Sequence, residues 1–198
     1  MNTAKVIDFS DTTSKQRPFP HFYSKSVLSQ ALEKELHAWL ENTIFWELTQ
    51  TEFYEQYEFS LLHVTLPPNL SCLIKDEMVD LVREKMEECF EVRALELADA
   101  TVHKLTDGQR IGVHNDFIGK EESHRLLVQI NANWTEDNGG YLLLFNSANA
   151  EDVSDLILPV SNSAFGFEIS NKSNHAVSTV YNFSRYTLVY TFKQSEQQ

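Results

Sequence analysis

The sequence is sparing with cysteine, glycine, proline and positive charge. Cys72 and Cys89 are its only cysteines in 198 residues. Two thiols cannot form the dense framework of a small disulfide scaffold, and a chain this long buries enough surface to need none. Both are predicted on one helix, several turns apart, so they read as free thiols rather than a disulfide, which suits a reducing cytoplasm. Six glycines and five prolines exclude collagen-like and Pro/Gly-rich disordered classes. Sixteen Lys and Arg stand against 29 Asp and Glu, a formal net charge of −13. A surface of that sign repels phosphate backbones, so nucleic acid is not an expected partner. Neutral or basic substrates, including peptides, fit better. No apolar run approaches the roughly 18 residues of a membrane span. The opening residues Met1–Asp8 carry no apolar signal segment.

What is present reads as one α+β domain over 1–198: a helical support region at 1–93, a jelly-roll core at 94–193 and a Gln-rich tail at 194–198. Residues 1–25 read as an extended arm, with an edge strand over 6–9. Val27, Leu28, Ala31, Leu32, Leu36 and Leu40 recur at helical spacing, which predicts a helix over 26–41 with Ser26 as its N-cap. The aromatic stretch 43–62 reads as core or cover strand, or as a substrate-facing wall. Pro67-Pro68-Asn69 breaks the chain, and a second helix is predicted over 70–90. From Ala94 the hydrophobic period changes from 3.6 to 2. Eight short segments follow, at 95–105, 111–114, 125–134, 141–145, 153–159, 163–169, 176–180 and 186–192. Gly-, Asn- and Asp-rich turns bound them, which predicts a β-sandwich or jelly roll.

Chemistry gathers around His114-Asn115-Asp116. An imidazole and a carboxylate two residues apart on an extended segment share a face. They supply two thirds of a 2-His-1-carboxylate metal site of the kind that binds non-haem Fe(II) with open positions. A third ligand is needed from a late strand, and His175 opens one. Arg185 begins the last strand, and its guanidinium suits bidentate capture of a carboxylate. His103 and His124 lie near the triplet in sequence. Residue types and spacing alone reach a 2-His-1-carboxylate metal on a jelly roll and go no further.

The combination His114-x-Asp116, then His175, then Arg185-x-Thr187 resembles the Fe(II)/2-oxoglutarate dioxygenase superfamily, prolyl-4-hydroxylase type, over roughly 95–193. Leu126–Asn131, Trp134, Asn138–Phe145 and Leu158–Phe167 are similar to its intervening strands and hairpin. The resemblance implies a double-stranded β-helix and three metal ligands, His114, Asp116 and His175, for Fe(II). It implies Arg185 and Thr187 on the distal carboxylate of 2-oxoglutarate, and O2 as co-reactant. Gln129 stands where many relatives carry a cosubstrate-contacting tyrosine, and Leu105 where they often carry another. The carboxylate of Asp116 argues for hydroxylation over halogenation. The substrate reading is a peptide or protein side chain. A free amino acid or small metabolite is the alternative, and a non-catalytic jelly-roll binding module is the alternative of another class. The polar segment 117–125 and the aromatic stretch 45–59 are the two candidate substrate walls. A cytoplasmic enzyme that touches neither membrane nor nucleic acid is expected.

Overall fold

A computed structural model describes residues 7–51, 54–119 and 121–195. In chain order it contains β1 (Thr12–Lys15), β2 (His21–Ser24), α1 (Gln30–Asn42), β3 (Glu47–Gln50), β4 (Glu55–Ser60), α2 (Asp76–Phe90), β5 (Leu95–Leu105) and β6 (Ile111–His114). There follow β7 (His124–Gln129), β8 (Leu142–Phe145), β9 (Val153–Ile157), β10 (Ala164–Glu168), β11 (His175–Val177) and β12 (Arg185–Gln194). The described chain is mostly β-sheet with two helices. One sheet has eight strands in the order β1-β2-β10-β7-β12-β5-β4-β3, and the other has four in the order β6-β11-β8-β9. This arrangement is consistent with a jelly roll.

Side-chain alternation along β12 explains how the layers form. Tyr186, Leu188, Tyr190 and Phe192 face the helices, whereas Arg185, Thr187, Val189 and Thr191 face a cavity between the sheets. The neighbours keep the same parity: Ala100 and Val102 of β5 and Leu126 and Val128 of β7 face the helices. Both faces of these central strands are therefore covered, one by apolar packing and one by a polar site. Helix α1 buries Leu32, Leu36 and Leu40, and α2 buries Met78, Val79, Val82 and Met86. At full burial each such side chain contributes about 1.5–3 kcal/mol. A second, smaller core fills part of the inter-sheet space with Leu105, Leu142, Leu144, Phe165, Phe167 and Val177.

Three expectations for the N-terminal half are corrected. Helix α1 begins at Gln30, not at 26. Ser29 is its N-cap, accepting from Leu32 N at 3.3 Å, while Ser26 takes a left-handed φ of 54°. Val27 and Leu28 fit the helical spacing but are buried for other reasons. Leu28 bridges Ile7, and the Asn162 side chain pairs with both its N–H and its carbonyl. The second helix is interrupted. Residues Ser71–Ile74 form a single 3₁₀ turn, and Lys75 is extended before α2 starts. Cys72 and Cys89 therefore lie on different elements, and both are free thiols. The arm at 1–25 contains the unforeseen hairpin β1–β2, which joins the large sheet through β10. The predicted edge strand at 6–9 reduces to the bridge at Ile7; Val6 lies outside the described residues. Among the described residues no helix is long and apolar enough to cross a membrane.

Candidate active site

The two facing strand ends at β6 and β11 build the site. His114 is the last residue of β6 and His175 the first of β11, and they are direct register partners. Their ring centroids lie 4.2 Å apart. Asp116 does not reach them by strand alternation, because β6 stops at His114. A left-handed turn carries it back instead, with φ of 60° at Asp116, a conformation aspartate tolerates better than most residues. Asn115 stabilises that turn. Its Oδ1 accepts from Phe117 N at 3.1 Å, and its carbonyl accepts from Ser173 Oγ at 2.8 Å. The turn after β6 is thus tied to the turn before β11. One side-chain nitrogen or oxygen from each of His114, Asp116 and His175 falls within a 4.8 Å cluster.

The donor set fits a metal. His114 Nδ1 lies 2.9 Å from the Gly112 carbonyl, and His175 Nδ1 lies 2.7 Å from the Ser173 carbonyl. A carbonyl only accepts, so each Nδ1 bears the proton and each Nε2 bears a lone pair. Those Nε2 atoms face Asp116 Oδ1 and Oδ2, each at 3.3 Å. Acceptors converging on acceptors at that distance call for a cation between them. Asp116 Oδ2 is buried and has no hydrogen-bond donor. Burial would push this carboxyl up, but its polar surroundings, the Arg125 guanidinium among them, hold it well below the usual carboxylate range.

The three clustered residues open onto a cavity of about 640 Å³ between the sheets. Arg185 lies in its wall, 4% exposed. Its Nε donates to the Gly140 carbonyl at 2.9 Å and its Nη1 to Thr187 Oγ1 at 2.8 Å. No carboxylate among the described residues pairs with it, and burial lowers its pKa to about 10. Gly140 makes the close approach possible. At its φ of 69°, a Cβ would stand 2.8 Å from Arg185 Cδ. An unpaired guanidinium in such a wall is a receptor for an external carboxylate.

The other sequence-stated positions divide. Thr187 lines the cavity beside Arg185. Gln129 is buried one layer back, where its Oε1 accepts from Thr187 Oγ1 at 3.3 Å and from Asn131 Nδ2 at 3.2 Å. It buttresses the threonine and does not line the cavity. Leu105 belongs to the second apolar core. His103 lines the cavity, with Thr101 Oγ1 3.2 Å and Glu58 Oε2 3.8 Å from its Nε2. Burial lowers its pKa to about 4 against the pull of Glu58. His124 lies apart from the site, packed on Phe90. Of the segment 117–125, Phe117, Ile118, Glu122 and Arg125 line the cavity. In the aromatic stretch, Phe59 packs into the helix layer against Trp39, Phe45 and Trp46. The alternate residues Gln56 and Glu58 face the cavity instead, and Phe53 lies outside the described residues.

Arg125 is the principal residue that motif reading passed over. Its Nη1 pairs with Asp116 Oδ1 at 2.8 Å and its Nη2 with Glu122 Oε2 at 2.6 Å. The parity that places Gln129 on the inner face of β7 also places Leu127 and Arg125 there, so the signal was present in the alternation.

Residues 100–192 match the family model of the 2OG-Fe(II) oxygenase superfamily. No curated protein matches the sequence. Among solved structures, a Pseudomonas putida prolyl-4-hydroxylase is 16% identical with a TM-score of 0.64, over 88% of this chain and 92% of that one. A Trichoplax adhaerens prolyl hydroxylase, in complex with a hypoxia inducible factor peptide fragment, is 13% identical with a TM-score of 0.65, over 87% and 83%. HygX from Streptomyces hygroscopicus, with nickel, 2-oxoglutarate and hygromycin B bound, is 10% identical with a TM-score of 0.60, over 89% and 83%. These likenesses are likenesses of fold. The matched stretch holds the whole His114–Asp116–His175 cluster together with Arg185; residues 100–192 are a 2OG-Fe(II) oxygenase region, and the chain is an enzyme working with Fe(II), 2-oxoglutarate and O2.

Proposed function

We propose that this enzyme hydroxylates an unactivated C–H bond on a peptide or protein side chain, with His114, Asp116 and His175 as the iron ligands. The observation that carries the reading is the convergence of that cluster and the unpaired Arg185 on one cavity. Bound Fe(II) and 2-oxoglutarate supply the oxidising chemistry, coupling decarboxylation to succinate and CO2 with insertion of one oxygen atom of O2. The chain's own residues bind and orient. Arg185 holds the distal carboxylate of the cosubstrate, and Thr187 joins it by turning its one hydroxyl proton from Gln129 to the ligand. The two backbone carbonyls fix the imidazole tautomers, and Arg125 holds one oxygen of Asp116, leaving the other for the metal.

The strand order supports a double-stranded β-helix. The strands β5, β12, β7 and β10 lie in one sheet and β6, β11, β8 and β9 in the other, so consecutive strands from β5 to β8 alternate between sheets. We take residues 1–93 as part of the same single domain, since α1 and α2 pack directly on this core. The acidic balance and the two free thiols support a cytoplasmic enzyme that acts on neither nucleic acid nor membrane. A peptide occupies the Trichoplax neighbour, which favours the peptide reading. The antibiotic bound to HygX keeps the small-molecule reading as second.

Anaerobic addition of Fe(II) and 2-oxoglutarate tests the assignment. The weak visible charge-transfer band of the chelate is expected in the intact protein and absent from His114→Ala. A band that never forms, or that persists unchanged in Arg185→Ala at limiting 2-oxoglutarate, overturns the ligand assignment or the anchor respectively.

A further inference from the structure

The charges lining the cavity do not balance. Four carboxylates line it, from Glu58, Asp99, Asp116 and Glu122, against two guanidiniums, from Arg125 and Arg185. Arg125 is taken up by Asp116 and Glu122, and Arg185 faces the cosubstrate. Fe(II) and doubly ionised 2-oxoglutarate add charges that cancel. Two negative charges remain in the loaded cavity, on Glu58 and Asp99. Among the described residues no lysine or arginine pairs with either. His103, beside Glu58, is neutral near pH 7 because burial disfavours its charged form.

The hydrogen bonding is also one-sided. Glu58 accepts from Thr49 Oγ1 at 2.8 Å and from Gln56 Nε2 at 2.6 Å. Asp99 Oδ1 accepts from Ser60 Oγ at 2.6 Å and from Ala100 N at 2.7 Å. These bonds orient the carboxylates without neutralising them. Gln56 is 4% exposed and lines the cavity, yet its Oε1 has no donor. The short contact of its amide nitrogen to Glu58 fixes which way the amide points, so the acceptor is left without a donor. A buried acceptor without a donor costs about 1–3 kcal/mol and is best answered by a ligand N–H. Tyr54, also in the lining, adds an aromatic ring to the same wall.

We infer that the substrate presents a cationic nitrogen, an ammonium or guanidinium, to the wall formed by Gln56, Glu58 and Asp99. Glu58 supplies the charge and Gln56 Oε1 a directed acceptor, while Asp99 extends the negative field along β5. The exposed Phe117 and Ile118 at the rim cover the apolar part of the same molecule. This rests on the oxygenase reading above and narrows its substrate from any side chain to a basic one. The shared chemistry has two sources, a Lys or Arg side chain in a peptide and the amino group of an amino sugar.

The test uses the Fe(II)- and 2-oxoglutarate-loaded enzyme with four probes: blocked tripeptides centred on Lys, Arg or Pro, and kanamycin. Succinate release above the no-probe background and a product heavier by one oxygen are measured. The Lys or Arg peptide, or kanamycin, is expected to give both, and which of them does so identifies the source. The Pro peptide is expected to give neither. Glu58→Gln should raise KM for the active probe about tenfold, while 2-oxoglutarate affinity, read from the chelate band, stays within twofold. Glu58→Lys should abolish cation selectivity at an unchanged melting temperature. The inference is overturned if no cationic probe responds, if the Pro peptide does as well, or if Glu58→Gln leaves that KM unchanged. A missing chelate band in the parent enzyme instead signals failure of the oxygenase assignment itself.

Discussion

Replacing Arg185 by methionine should make the unliganded protein more stable and the liganded one weaker. The guanidinium is 4% exposed and has no carboxylate partner among the described residues. Burial lowers its pKa from 12.5 to about 10. A base whose folded pKa is depressed destabilises the fold at every pH below that value, and the penalty is relieved only as pH rises from about 10 towards 12.5. The gap corresponds to about 3 kcal/mol at neutral pH. Methionine removes that cost but orphans the Gly140 carbonyl, which loses the Nε donor, at about 1 kcal/mol. The net expectation is about 2 kcal/mol of added stability, or roughly 4–8 °C in Tm for a chain of this size. The same change removes a charge-assisted fork from the 2-oxoglutarate site, costing about 3–4 kcal/mol of binding, or between two and three decades in Kd. Thermal melts with and without 2-oxoglutarate under anaerobic Fe(II) or Mn(II) read both quantities together. At 100 times Kd the ligand should stabilise the parent by about 2.7 kcal/mol and the variant hardly at all. If Tm and ligand stabilisation fall together, Arg185 is a structural residue and the receptor argument is wrong. If the variant keeps its ligand shift, the anchor lies elsewhere.

Three further outcomes follow from the geometry. Gly140→Ala forces a Cβ to 2.8 Å from Arg185 Cδ at a positive φ; it should raise KM for 2-oxoglutarate at least tenfold and lower stability by about 1–3 kcal/mol, and an unchanged KM would show that Arg185 adjusts freely. Arg125→Gln removes the 2.8 Å partner of Asp116 and should weaken Mn(II) or Zn(II) binding about 10–100-fold by calorimetry, whereas equal affinity would mean the pair only anchors Glu122. His124, with its pKa lowered to about 4 by burial, stays neutral in the fold while the unfolded chain takes up a proton near pH 6.5, so stability is lost as pH falls from about 6.5 to 4, by about 3 kcal/mol from this residue; urea melts of His124→Phe should show a shallower acid slope, and an identical slope refutes it.

The β half was legible because its strands are short, alternate cleanly and end at Gly, Asn and Asp turns. The predicted 111–114 coincides with β6, and 95–105 with β5. Where strands pack on both faces, parity also sorts the chemistry, as along β12. The helical half was less legible, because apolar spacing does not say what a residue packs against. Val27 and Leu28 have the period of a helix but are held by Asn162 and Ile7. The hairpin β1–β2 escaped notice because Thr12, Thr13, Ser14 and Lys15 carry no apolar alternation; the first three are polar and the last is charged. At the site, His114 and Asp116 stood out by residue type and spacing, while the roles of His175 and Arg185 followed from the resemblance to the oxygenase family. Asp116 joins the cluster by a left-handed turn and not by strand alternation, so the alternation argument did not describe how it gets there. Arg125, Gln56, Glu58 and Asp99 acquire meaning only from partners distant in sequence or on other strands.

The placement of β12 bears on how the protein is made. This strand, residues Arg185–Gln194, comes last among the described strands yet lies between β5 and β7 in the large sheet. Its partners on β5 precede it by about 80 to 100 residues. A ribosome-bound chain that has exposed everything up to β11 still has a gap down the middle of its main sheet, and its cavity wall lacks the Arg185 guanidinium. Neither can form until the final strand leaves the exit tunnel. Completion of the large sheet thus waits on β12 and is slow, as long-range pairing requires. In the meantime the facing edges of β5 and β7 lie open to other chains, a window in which chaperone supply governs yield.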